Sequence, residues 1–109
     1  QLTVIQPTSE VAIESPDLPR QVAPGTPIDL STPVEIQYSD GIYRPAPDGT
    51  AYRVQFAASG PRAALRWRTM ARGEITDGQI ATQIKPTRTG YWRISVAGNH
   101  SSATLVRVR

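Results

Sequence analysis

The sequence predicts an all-β protein, an antiparallel β-sandwich of about seven strands with no disulfide. Three observations carry this. Proline and glycine together supply 10 and 8 of the 109 residues, and both work against helices: proline removes a donor and clashes with the preceding turn, while glycine adds backbone entropy. From residue 33 onward apolar and polar residues alternate with a period of two, the mark of a half-buried strand. Turn-forming residues interrupt that alternation at short intervals, as in sandwiches and barrels. The length suits one domain and buries a real core. With 39% hydrophobic and 19% charged residues, the composition is neither that of a membrane protein nor that of a highly charged disordered chain.

The first third is divided by Pro7, Pro16, Pro19, Pro24, Pro27 and Pro33. The apolar stretches 2–5, 11–13 and 28–30 lie between them. Because proline cannot donate to a central ladder, they are expected as edge strands or extended connectors. Residues 1–15 are read as an N-terminal extended segment or edge strand, and 16–109 as the sandwich domain. Val34, Ile36 and Tyr38 then alternate with Glu35 and Gln37, and Ser39-Asp40-Gly41 supplies a turn before a short return strand at 42–44. A connector at 45–49 leads to Tyr52, Val54 and Phe56 on one face of the next strand. After Ser59-Gly60-Pro61, Leu65, Trp67 and Thr69 alternate with Arg66 and Arg68. Turns at Arg72-Gly73 and Asp77-Gly78 precede a strand over 79–85, another over 91–97, and a last one containing Val106 and Val108.

The inward phase of these strands gives a core of Ile28, Leu30, Val34, Ile36, Val54, Phe56, Leu65, Trp67, Ile80, Ile84, Trp92, Ile94, Val96, Val106 and Val108. Both tryptophans then need a partner for the indole N–H, expected from a backbone carbonyl.

The net charge is +3, and eleven of the twelve bases are arginine, so the high isoelectric point reflects the arginine pKa more than a large charge excess. The densest group is Arg62, Arg66, Arg68 and Arg72. Arg66 and Arg68 fall on one strand face, either as a solvated surface or as a contact for an anionic partner. No arginine or lysine run, aromatic RNA-binding cluster or phosphate loop is present, which argues against nucleic acid. No stretch approaches the ~20 apolar residues of a membrane span, so no membrane insertion is expected. The opening at Gln1, without methionine or signal peptide, is read as that of an excised domain or processed fragment.

Residues 38–45, Tyr-Ser-Asp-Gly-Ile-Tyr-Arg-Pro, with Asp48-Gly49-Thr50, form one half of a pattern. Its other half is 87–99, Thr-Arg-Thr-Gly-Tyr-Trp-Arg-Ile-Ser-Val-Ala-Gly-Asn, closed by Val106-Arg107-Val108-Arg109. Over residues 33–109 this resembles the immunoglobulin-like repeat domain of secreted and surface proteins in actinobacteria. The resemblance implies an immunoglobulin-like sandwich, a secreted or cell-surface location in a bacterium, and a non-catalytic role as spacer, display, adhesion or protein-interaction module. Neighbouring domains of the same chain, or another protein, would be its partners.

No catalytic constellation stands out among the residues, and a non-enzyme is expected. The absence of cysteine excludes disulfides, thiolate zinc and a cysteine nucleophile. A serine triad would need His100, which sits in a polar turn beside Ser101 and Ser102 without nucleophile-elbow spacing, and reads as an exposed loop histidine. The candidates for paired catalytic carboxylates, Asp40, Asp48, Glu74 and Asp77, all fall in expected turns, and the three aspartates each precede glycine, the pattern of turns. No calcium-loop spacing is present. No cofactor and no metal are therefore expected. The candidate contacts for a ligand or partner are Tyr43 and Tyr91, on the outward phase if Ile42 and Trp92 point inward, together with Arg66 and Arg68. Exposed aromatics stack sugar rings, so a carbohydrate-binding module with a polysaccharide partner is the alternative. Asn99-His100-Ser101 fits the N-glycosylation pattern, idle in a bacterial setting.

Overall fold

The computed structural model describes residues 4–59 and 66–109. The expected core residue Leu65, and Arg62, lie outside the described residues. Among those described there is no helix, and ten strands rather than about seven: β1 (Pro7–Ile13), β2 (Gln21–Val22), β3 (Ile28–Tyr38), β4 (Tyr43–Pro45), β5 (Ala51–Ala58), β6 (Arg68–Glu74), β7 (Gln79–Ile84), β8 (Gly90–Val96), β9 (Asn99–His100) and β10 (Thr104–Val108). The all-β expectation holds. No helix among the described residues is long and apolar enough to cross a membrane.

The strands form two sheets. The first, sheet 1, has β3 at its centre, with β1 on one side and β7 and β4 following one another along the other. The second, sheet 2, runs β2-β10-β8-β5-β6, and β9 also pairs with β8. Pairing is antiparallel except between β2 and β10, which are parallel. The expectation that proline confines the first third to edges fails for β3. Val34 N–H donates to the Gly78 carbonyl, so by alternation Pro33 faces the β1 side. It lies one residue beyond the end of that pairing at Ile13–Val34, where no ladder donor is required.

One core lies between the sheets. Leu30, Val34, Ile80 and Ile84 enter it from sheet 1, and Val54, Phe56, Trp92, Ile94, Val96 and Val106 from sheet 2. The alternation of β3, β5 and β8 therefore reads as expected. Val108 is only half-buried. Leu18, Ala46 and Ile75 are buried from connectors, where no period exists to reveal them. Trp92 packs at 4.9 Å from Phe56, ring centroid to centroid. Its buried indole N–H has no hydrogen-bond partner, contrary to the expected carbonyl.

Trp67 is the main departure. The β5–β6 register shifts between Val54 and Gln55, so that Val54 opposes Ala71 while Gln55 opposes Thr69. Met70 is the extra residue of this bulge. A bulge reverses the inward and outward phase beyond it, and Trp67 is half-buried on the outer side of sheet 2 instead of in the core.

Candidate functional site

Alternation along β5, β6 and β8 sends Arg53, Arg72 and Ser95 to the outer face of sheet 2, and register then aligns them. Arg72 opposes Arg53, Arg53 opposes Ser95, and Ser95 opposes His100. With strands ~4.8 Å apart, this rung spans roughly 15 Å of sheet. Its far end is set by a tight hairpin: Ala97 and Gly98 have φ of 50° and 82°. Positive φ at both central positions is the type I′ geometry that folds β9 directly back on β8.

Between these side chains lies a groove of about 540 Å³, lined by Arg53, Arg72, Gln55, Ser95 and His100. Gly73 also lines it, and a Cβ there would strike the ring of the buried Tyr52 opposite. On the adjoining rung Gln55 opposes Arg93. Arg93 Nε donates to Gln55 Oε1 at 2.8 Å, and its guanidinium carbon lies 4.0 Å from the Trp67 ring centroid.

The charges in this groove are uncompensated. Among the described residues, which include every acid of the chain, the one ion pair is Arg44–Asp40 at 2.8 Å, on sheet 1. Arg53 and Arg72 stand directly opposite each other, an arrangement that like charges disfavour. Burial lowers the Arg93 guanidinium from its ordinary value. Burial, and then the charge of Arg93, lower the His100 imidazole. A neutral His100 offers one N–H and one lone pair to the groove.

The residues expected to form a site do not assemble into one. Tyr43 is exposed on β4 of sheet 1, whereas Tyr91 is half-buried on β8 of sheet 2. Ile42, expected inward, is 54% exposed. Arg66 precedes β6 and Arg68 opens it opposite Phe56; both are exposed, and neither lines the groove. His100 is exposed as expected, but on a strand facing the groove. Ser101 is buried, with Oγ accepting from Ile94 N–H at 2.9 Å and donating to the Ser102 carbonyl at 3.2 Å, which gives it a structural role. Asp40 accepts from Ile42 N–H and from both terminal nitrogens of Arg44. Asp48 accepts from Asp77 N–H at 2.8 Å. These aspartates hold turns. The Asn99 amide reaches the Ser9 carbonyl at 3.0 Å, joining the two sheets. Arg72 belonged to the densest arginine group in the sequence, but its alignment with Arg53 depends on register, which no local pattern shows.

No protein-family model matches the chain, and no curated protein is similar to it in sequence. Among solved structures, it is similar to the superoxide reductase (neelaredoxin) from Ignicoccus hospitalis, with a TM-score of 0.58 at 12% identity, covering 91% of this chain and 80% of that one. A single-substitution variant of that protein gives 0.60 at 11% identity, over 91% and 79%. A Thermotoga maritima protein described as a superoxide reductase gives 0.53 at 13% identity, over 91% and 85%. At these identities the likeness is one of fold.

These matches correct three expectations. The chain's structural neighbours are not immunoglobulin-like repeats of surface proteins, so that resemblance does not stand. The adhesion or spacer role and the carbohydrate-binding alternative, which rested on it and on the tyrosines, fall with it. The neighbours are named as enzymes, so the expectation of a non-catalytic chain does not stand either. Reduction of superoxide, the reaction in those names, consumes an electron. It therefore implies a redox-active group, commonly a transition metal on cysteine, histidine or carboxylate ligands. The donor set here does not fit such a metal: the chain has no cysteine and one histidine. Among the described residues no three histidine, cysteine or acidic side chains converge.

Proposed function

We propose that this chain binds an oxyanion in the groove on sheet 2, through the guanidinium groups of Arg53 and Arg72 with Ser95 and His100 completing the rung. The observation that carries the reading is the opposition of Arg53 and Arg72 across β5 and β6 with no carboxylate partner. Two like charges face to face are relieved by an anion between them, and guanidinium groups hold phosphate, sulfate or carboxylate oxygens through paired N–H donors. Superoxide, named for the fold neighbours, is itself an anion that the same charges attract. The platform under the groove is, on our reading, one layer of a sandwich with immunoglobulin-like layering, supported by the single core that the two sheets share.

The test is a titration with inorganic phosphate and sulfate at low ionic strength, followed by calorimetry and by the His100 resonances. Wild type should bind saturably. Arg53→Gln and Arg72→Gln should each weaken binding by about tenfold or more, since a hydrogen bond to a charged group contributes about 1.5–3 kcal/mol. Lys85→Gln, outside the groove, should leave it unchanged. Absence of saturable binding, or equal affinity in the double arginine variant, overturns the reading.

A further inference from the structure

The two outer faces of the molecule carry opposite charge. On sheet 1 the outward phase of β3 presents Asp29 and Glu35, Glu14 lies on the matching phase just after β1, and Glu10 stands in the irregular stretch of β1 before Val11; all four are exposed. Lys85, just beyond β7, is the one base on this phase. On sheet 2 the outward phase presents Arg72, Arg53, Arg93 and Arg107 on four neighbouring strands, against the single acid Glu74 at the end of β6.

These faces cannot neutralise each other within one molecule. Packed sheets lie ~10 Å apart with the charged side chains projecting further from both. At physiological ionic strength, charges beyond ~8 Å are largely screened. None of these four acids makes an ion pair among the described residues.

We propose that the acidic face of sheet 1 docks on the arginine face of sheet 2 of a second copy of this chain, head to tail. The occupant is fixed by complementarity: the four acids and the four arginines are spread across comparable sheet surfaces of one sequence, and like faces repel. Such a contact uses two different patches, so it is heterologous and extends to further copies. It covers Arg53 and Arg72, and therefore competes with an oxyanion, but it does not rest on the oxyanion reading.

Sedimentation velocity of the full chain at about 0.01 M and about 1 M salt, where the screening length is about 30 Å and about 3 Å, tests this. Concentration-dependent assembly at low salt and monomer at high salt are expected. Glu10→Lys with Glu35→Lys makes both faces basic, and Arg53→Glu with Arg72→Glu makes both acidic. Each double variant alone should remain monomeric at low salt, and an equimolar mixture should associate, because every face of one variant is complementary to every face of the other. The lysine variant should still bind phosphate, which separates failure of this contact from failure of the groove. A wild type that stays monomeric at every salt concentration overturns the proposal, whether or not the variants fold. So does a mixture of folded variants that does not associate.

Discussion

The Arg93 guanidinium carbon sits 4.0 Å from the centroid of the Trp67 ring, while Nε of the same group is held by Gln55 at 2.8 Å. Trp67 and Trp92 are thereby given opposite tasks. One shields a cation on the outer face; the other is 2% exposed in the core against Phe56.

Substitution should separate the two tryptophans. Trp92→Ala removes a buried aromatic and should cost about 3–5 kcal/mol in chemical denaturation. Trp67→Ala loses a cation–π contact and partial burial, and should cost about 1 kcal/mol. Acrylamide should quench the fluorescence of Trp67 and leave that of Trp92 nearly unquenched. Equal costs, or equal quenching, would contradict the bulge at Met70 that sends Trp67 outward.

His100 should make stability depend on pH in one direction. Its imidazole is lowered from an ordinary value of 6.5, first by burial and then by Arg93. The unfolded chain therefore binds the proton more readily than the native one. The contribution is complete above about pH 6.5 and diminishes as pH falls from there through the lower native value. His100→Gln should flatten that part of the profile. An NMR titration should place the imidazole below 6.5 in the free protein and higher with phosphate bound. An unshifted imidazole would remove histidine from the groove's electrostatics.

Ser101→Ala should destabilise without altering the groove. Ile94 N–H, buried on β8, donates to Ser101 Oγ, and removing that acceptor orphans a buried donor at about 1–3 kcal/mol. Phosphate affinity should match wild type. Loss of affinity with unchanged stability would instead make Ser101 a ligand-contacting residue.

Gly90→Ala should be poorly tolerated. A Cβ at this position meets the Phe56 ring and the Ala57 carbonyl, and Ala58 is its partner across the ladder. Overpacking of this kind costs about 1–3 kcal/mol. A melting temperature equal to that of wild type would show that β5 and β8 can part locally.

What was legible in the sequence was what lies along a single strand. Val34 and Ile36, Val54 and Phe56, and Trp92, Ile94 and Val96 declared both strand and phase by their spacing. The phase of Trp67 was not legible, because one inserted residue at Met70 inverts it and methionine carries no bulge signal. Ile75 and Leu18 escaped because connectors have no period. The rung from Arg72 to His100 escaped for a deeper reason. Its members lie at positions 53, 72, 95 and 100, and only the pairing of four strands brings them into line. Tyr43 and Tyr91 shared an outward phase on separate sheets, so local pattern joined two residues that the fold holds apart.

The Asn99 amide on the Ser9 carbonyl, and β10 lying parallel beside β2, tie residues near one end of this sequence to residues near the other. During synthesis β1 can pair with β3 early, but β2 must wait, with its ladder groups turned to water, until residues 107–108 have left the ribosome. Closing so long a loop is slow. The nascent chain thus spends its most aggregation-prone interval with the β2 segment unpaired, and its yield in a cell should depend on the rate at which residues 104–108 emerge.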